Sequence, residues 1–304
     1  MTIPIVYGPT AVGKTELMVE VCEKLGCEII SMDSRQIYRY MDIGTAKPTP
    51  EERKRVPHHM IDILDPDEYY NAYMYRKDSM KVAEDILKRG KLPVFVGGTG
   101  LYVDALVRGI FEGVPADENI RKELKKLHEM EPGILRKMLE DFDPEAAARI
   151  HPNDLKRTIR ALEVYMKTGK RISELQRKAK PAGKFRIIVL WRERKELYER
   201  INERAERMVK MGLVDEVKKL LEMGYSKDLN SMKTIGYRET VEYLEGKYDF
   251  QHYVHVLKRN TRHFARRQII WSRRYEDAIK INLTFEKDPL GRLEGILEKV
   301  YSEE

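Results

Sequence analysis

Directly after an apolar run, Ile3 to Tyr7, the chain reads Gly8-Pro-Thr-Ala-Val-Gly-Lys-Thr15. The pattern is G-x-x-x-x-G-K-[ST], and its surroundings are the ones its physics needs. Ile3, Ile5 and Val6 predict a short buried strand. From Thr15 the stretch TELMVEVCEKLG predicts a helix with Leu17, Val21 and Leu25 on one face. A glycine-rich turn between them aims backbone N–H groups at a pyrophosphate, and the helix N-terminus adds partial positive charge. Gly8, Thr10, Ala11, Val12, Gly13, Lys14 and Thr15 are therefore the candidate diphosphate-binding residues. Lys14 would reach the terminal phosphates, and the Thr15 hydroxyl would hold Mg²⁺. The motif specifies a pyrophosphate without saying whose.

A chain of 304 residues suits about two domains. Alternation of strand and helix organises residues 1 to about 110. After the first unit comes EIISM (28–32), then a long loop from Asp33 to Asp65. A helix is expected from about Tyr73 to Arg89, then a strand in PVFVGGTG (93–100) and a helix in GLYVDALVRG. Such alternation predicts a parallel sheet covered by helices, with ligands at the carboxyl ends of the strands. The turns after these three strands should converge. They carry the phosphate loop, Asp33-Ser-Arg-Gln36 and Gly97-Gly-Thr-Gly100. From about Val114 to Lys184 the chain is charged, helical and punctuated by proline. FRIIVLW (185–191) then predicts a further buried strand, and the remainder reads as mostly helical, with a frayed tail at 301–304. The expected organisation is a core of 1–113 and 185–304 interrupted by a helical insertion, 114–184.

Charge adds a second constraint. The net charge is +7, and Lys258 to Arg274 holds seven Lys or Arg and no acidic residue. As a helix, this stretch puts Leu257, Phe264 and Trp271 on one face and Arg259, Arg262, Arg266 and Arg273 on another. The apolar stripe would dock the helix, and the basic stripe would meet a phosphate backbone. Like charges this dense repel unless something neutralises them. No apolar run reaches the roughly 20 residues of a membrane helix, and the first ten residues read as fold, so no leader and a cytoplasmic setting are expected. Cys22 and Cys27 suit neither zinc nor a disulfide scaffold.

Asp33 directly follows an apolar strand. It fits a metal-holding carboxylate, a general base, or an ordinary turn cap. Gln36 offers donor and acceptor together, as a nucleobase edge requires. Thr99 stands between Gly98 and Gly100, which leave room for another molecule, and it serves equally well as a helix cap. The segments DIGTAKP (42–48) and PHHMIDI (57–63) are dense in polar groups, to which composition assigns no role. A nucleotide kinase and a non-catalytic RNA-binding NTPase both remain open on these residues alone.

The blocks GPTAVGKT, DSRQIY, DIGTAKP, PHHMIDI, VFVGGTGLY, RALEVYMKTG, IGYRE and TRHFARRQIIW, in this order, closely resemble the bacterial tRNA dimethylallyltransferases, or tRNA isopentenyltransferases. The resemblance spans nearly the whole chain. It implies an α/β fold like that of the P-loop NTPases, with a parallel sheet flanked by helices, a helical insertion clamping tRNA and a basic helical C-terminal part. It implies transfer of a dimethylallyl group from dimethylallyl diphosphate to N6 of adenosine 37, beside the anticodon. Asp33, Thr99 and Arg204 fall on the family's catalytic positions, Asp33 as the base. The RNA contacts fall on Asp33, Ser34, Arg35, Gln36, Thr99, Arg121, on Lys156, Arg157, Thr158, Ile159, Arg160, and on Lys233, Thr234, Ile235, Gly236, Tyr237, Arg238. Met232 to Arg238 mixes basic and aromatic side chains, suited to backbone contact and stacking. Arg262 and Arg266 extend the electrostatic footprint. The expected partners are tRNA and dimethylallyl diphosphate, with Mg²⁺ and without zinc, for a monomer. A relative that prenylates free AMP is the nearest alternative within the resemblance.

Overall fold

Five consecutive buried residues make β1 (Ile3–Tyr7) an interior strand, apolar on both faces because both are covered. The computed structural model describes residues 1–111 and 114–302. The expected boundary at 113 and the end of the expected tail, 303–304, lie outside the described residues. A six-stranded parallel sheet runs in the order β3-β2-β4-β1-β5-β6. Its other strands are β2 (Cys27–Met32), β3 (His58–His59), β4 (Leu92–Gly97), β5 (Phe185–Trp191) and β6 (Ile279–Asn282). Helix α1 (Lys14–Leu25) packs on the sheet beside α14 (Pro289–Ser302), and α3 (Ala72–Lys88) packs on β2 and β4. The helix after β4 is α4 (Gly100–Val107).

Four expectations are corrected. The loop 33–65 contains α2 (Pro50–Arg55), closed by a Thr49/Glu52 capping box, and β3 at the sheet edge. Neither could show a period: α2 buries none of its residues, and β3 is two residues long. The four-residue β6 was likewise too short to stand out among helices. The inner face of α1 is Met18, Val19, Val21 and Cys22, with Leu17 and Leu25 at its rim. The tail is no loose end through Ser302: α14 buries Val300, and the Tyr301 hydroxyl donates to Pro93 O at 3.1 Å.

The chain divides into two compact units, 1–103 with 183–304, and 104–182. The second is helical: α5 (Glu118–Met130), α6 (Ile134–Phe142), α7 (Pro144–Arg149), α8 (Leu155–Thr168) and α9 (Ile172–Lys178). Its core gathers Leu124, Leu135, Leu139, Ile159 and Leu162. In the first unit, β5 leads into α10 (Arg194–Lys210), α11 (Leu213–Glu222), α12 (Tyr237–Leu244) and α13 (Phe250–Ser272).

Helix α13 docks differently from its heptad reading. Tyr253, Val256, Leu257, Ala265 and Gln268 are buried, while Phe264 is 37% exposed under the Arg267 guanidinium. A small residue and an amide occupy the inner positions that an apolar count assigned to Phe264, because α13 lies against backbone there.

One buried charge on the sheet has a stability consequence. Glu28 in β2 receives a bidentate Arg89 guanidinium at 2.5 and 2.7 Å and lies 2.7 Å from His59 Nε2. The Arg89 guanidinium, opposed by burial and aided by His59, holds this carboxyl down to about 2, against an ordinary 4.5. A value depressed in the fold stabilises above the unfolded value and loses that contribution as pH falls from about 4.5 toward 2. Glu28→Gln should cost about 2 kcal/mol at neutral pH, a figure discounted for the exposed part of Arg89. Urea unfolding from pH 7 to pH 3 checks it. The difference between wild type and variant should shrink with acid, and parallel curves would contradict the assignment.

Candidate active site at the carboxyl ends of three strands

Tyr7 at the end of β1 and Met32 at the end of β2 both pair with Gly97 at the end of β4. The three strands thus end level, and their turns start side by side. Gly8 N–H donates to Gly97 O at 3.3 Å, and Thr99 N–H to Met32 O at 3.1 Å. The predicted convergence of the phosphate loop, Asp33 and the Gly97–Gly100 turn is present.

The phosphate loop turns through Ala11 (φ 64) and Gly13 (φ 105) into the N-terminus of α1. The first N–H groups of a helix have no intrahelical acceptor and suit an anion. Its carbonyls are taken up by cations. Lys14 Nζ donates to Gly8 O (2.8 Å) and Pro9 O (2.9 Å), Arg200 Nε to Ala11 O (2.9 Å) and Arg192 Nε to Val12 O (2.9 Å). Arg192 and Arg200 were not found by sequence reading. The available signal was that Arg200 precedes Arg204 by one helical turn and so shares its face of α10. Leu197 and Ile201, fully buried, pin that helix down.

Arg204 Nη1 lies 3.4 Å from Thr10 Oγ1. Burial, with the Arg204 charge beside it, pushes the Lys14 ammonium down to about 7, and Asp33 opposes the shift. Burial also pushes Arg204 down, against the pull of Asp33 and with Arg207 and Arg200 adding repulsion. A cluster of cations with one carboxylate among them is electrostatically suited to a further anion.

Asp33 Oδ1 accepts from Arg35 N (2.8 Å) and Gln36 N (3.4 Å). The turn-cap reading is therefore correct, and the same cap fixes the carboxylate facing Lys14 and Arg204. Thr99 Oγ1 accepts from Ser34 N at 3.1 Å, which locks the second turn to the third. The glycines around Thr99 are corrected. What approaches them is the protein itself: a Cβ would stand 2.3 Å from Met32 O at Gly97, from Gln268 Nε2 at Gly98 and from Trp271 Cδ1 at Gly100.

Gln268 was also missed. Its Oε1 accepts from Thr10 N at 2.9 Å, and its Nε2 donates to Gly98 O at 2.8 Å. Gln36, expected at a nucleobase edge, spends its amide within the protein. Nε2 donates to Thr45 O (3.3 Å) and Ala46 O (3.1 Å), and Oε1 accepts from Ser31 Oγ (3.1 Å).

The segment 42–48 is a clasp. Glu216 of α11 accepts from Asp42 N (3.0 Å), Ile43 N (2.7 Å), Gly44 N (3.1 Å) and Tyr237 Oη (2.6 Å). A Cβ on Gly44 would stand 2.5 Å from the Tyr237 ring. Tyr237 is therefore fully buried and cannot stack on a base. Lys233 and Arg238 of the same segment are exposed, Thr234 and Ile235 are half-buried, and Gly236 adopts φ 100.

In the second unit, Lys156 and Arg157 point outward while Thr158 and Ile159 enter its core. Arg121 and Arg160 both hold the buried Glu163, at 2.9 and 2.6 Å. On α13, Arg259, Arg266 and Arg273 are exposed as expected. Arg262 is not: it donates to Asn202 Oδ1 at 2.6 Å and lies over the Tyr198 ring of α10. Among the described residues, no three His, Cys, Asp or Glu gather to hold a metal, and no helix is long and apolar enough to cross a membrane.

Residues 36–275 match the IPP transferase family, and residues 1–63 match the isopentenyl transferase family. A tRNA dimethylallyltransferase of Thermotoga neapolitana is 80% identical over 94% of this chain and 93% of its own length. That of Thermotoga maritima is 75% identical over 100% and 99%. The crystal structure of a full-length tRNA isopentenylpyrophosphate transferase from Bacillus halodurans is 39% identical, covers 99% of this chain and 98% of its own, and superposes with a TM-score of 0.72. A eukaryotic dimethylallyltransferase acting on tRNA, 29% identical over 97% of this chain and 77% of its own, gives 0.79. By the extent of these matches, this chain belongs to the IPP transferase family.

Proposed function

We propose that this protein transfers a dimethylallyl group from dimethylallyl diphosphate to N6 of adenosine 37 in tRNA, releasing pyrophosphate. The observation that carries the reading is the set of cations, Lys14 and Arg204, held at a phosphate loop with Asp33 after the end of β2, across β4 from it. The names of the relatives agree with it. A nucleotide kinase would leave the exposed arginines of α13 without a role, and none of the named relatives is one. Free AMP as acceptor fails on the same arginines.

The chemistry follows from the groups. N6 of adenine is a weak nucleophile, because its lone pair is delocalised into the ring. As N6 attacks C1 of the dimethylallyl group, the C1–O bond breaks and the electron pair leaves with pyrophosphate. Asp33 takes the N6 proton, a step worth about 10²–10⁴ in rate. Positive charge develops on the allyl carbons and negative charge on the diphosphate. The loop N–H groups of Ala11, Gly13, Lys14 and Thr15, with the Lys14 and Arg204 side chains, stabilise the latter, where preorganised donors are most effective. Thr10 takes part through its hydroxyl, since its N–H is bonded to Gln268. Thr99 holds the Asp33 turn and lies beside the base.

The donor set fits Mg²⁺: the Thr15 hydroxyl is a hard oxygen ligand, and Mg²⁺ ordinarily takes one or two protein oxygens with substrate phosphates and water. When bound, the ion supplies further charge neutralisation on the leaving diphosphate. Lys156, Arg157, Lys233, Arg238 and Arg266, exposed cations on their elements, are assigned to tRNA phosphates. The groups invoked at the reacting centre come from one chain, which makes a monomer sufficient, and the cytoplasm supplies tRNA.

Nucleoside mass spectrometry of an anticodon stem-loop incubated with dimethylallyl diphosphate tests the reaction. Wild type should yield dimethylallyl-adenosine, and unmodified adenosine throughout would refute the reading. Asp33→Ala should lower kcat by about 10² or more with tRNA affinity retained; a near wild-type rate would remove it as the base. Arg266→Glu should raise the tRNA KM and reduce the salt slope by about 1 to 2, one unit for the lost contact and the rest for the reversed charge. An unchanged slope would show that this face of α13 does not meet RNA.

A further inference from the structure

We propose that Gln268 is a positioning residue for the transfer reaction, a single buried amide that fixes the diphosphate loop relative to the turn beside the base. The proposal rests on the function above and assigns a residue that contacts neither substrate. Gln268 is 7% exposed on the inner face of α13. Its two bonds are of opposite polarity, one accepted from Thr10 N–H in the loop and one donated to Gly98 C=O after β4. A planar amide offers one oxygen and one NH₂ at a fixed spacing, so the pair of bonds sets a distance as well as an orientation. The backbone is held too, because Gln268 O accepts from the Tyr7 hydroxyl at 3.0 Å, at the end of β1.

The partners lead to both sides of the reacting centre. Thr10 receives Gln268 on its N–H and Arg204 on its hydroxyl, so the amide seats the residue that meets the arginine. Gly98 precedes Thr99, whose hydroxyl receives Ser34 N–H, next to Asp33. One side chain thus links the leaving-group side to the base side. The fit admits no larger residue at Gly98, where a Cβ would lie 2.3 Å from Nε2. A misplacement of about 1 Å between reacting groups costs on the order of 10² in rate even when the mutated residue is remote.

Two substitutions separate this role from packing. Gln268→Met keeps the volume and removes both bonds. Gln268→Glu keeps an acceptor for Thr10 but sets a carboxylate against the Gly98 carbonyl, and protonation restores the missing donor. Gln268→Met should lower kcat by about 10 to 10² while the tRNA KM stays within about twofold. Gln268→Glu should be similarly slow at pH 8 and regain rate relative to wild type as pH falls toward 6. A wild-type kcat for Gln268→Met, a change confined to KM, or a Gln268→Glu profile parallel to wild type would each overturn the assignment. If wild type itself gives no dimethylallyl-adenosine, the function above fails. The positioning role is then read on pyrophosphate affinity, where Gln268→Met should bind about tenfold more weakly and equal affinity would overturn it.

Discussion

A loop that turns its N–H groups toward an anion must place its carbonyls elsewhere, and the rest of this molecule is arranged around that requirement. Gly8, Pro9, Ala11 and Val12 present carbonyls that receive Lys14, Arg200 and Arg192, each a charge-assisted bond of 2.8 to 2.9 Å. Two of the three donors come from outside the motif, 180 or more residues later in sequence. The loop therefore depends on α10 being docked, and α10 depends on Leu197 and Ile201 in the sheet core. Gln268 closes the other side from α13. The two helices pack on each other through Arg262, Tyr198 and Asn202. What looks in sequence like a self-contained eight-residue device is held from three separate parts of the chain.

The same arrangement narrows the ligand. Lys14 and Arg204 are both buried beside one loop, where each makes the other's charge costly, and Asp33 offsets only part of the repulsion. A diphosphate supplies the missing charge. In the proposed reaction it is the leaving group, so attraction that grows with its charge favours the transition state over the bound substrate. Asp33 then has two electrostatic tasks, balancing the cations and receiving a proton. Its Asx turn with Arg35 and Gln36 leaves it fixed for both.

Much of this was legible in the sequence for identifiable reasons. Parallel strands buried on both faces read as plain apolar runs, and the phosphate loop has fixed spacing, so β1, β2, β4, β5 and the level of the three turns could be anticipated. Arg204 was located by resemblance alone, since a helical arginine has no signature of its own. Gln268 and Arg200 stayed invisible because a polar residue in an amphipathic pattern is counted as outward, and their partners are backbone carbonyls or N–H groups that any sequence has. Burial reversed some expectations. Tyr237 lies under Gly44 and Arg262 lies on Tyr198, where composition suggested contact with RNA. The glycines around Thr99 correctly marked a close approach, but the approaching partner was α13. Short elements such as α2 and β3 carry no period to read.

The central claim is that Lys14, buried beside Arg204 at the phosphate loop, receives a diphosphate. Calorimetry of pyrophosphate binding at pH 8, in buffers of different ionisation enthalpy, tests it most directly. Burial and the Arg204 charge push Lys14 down to about 7, and an arriving diphosphate raises it again, so Lys14 adds proton uptake to the binding. Wild type should take up a substantial fraction of a proton more than Lys14→Met does. Equal uptake by the two proteins, with equal affinity, would contradict the account.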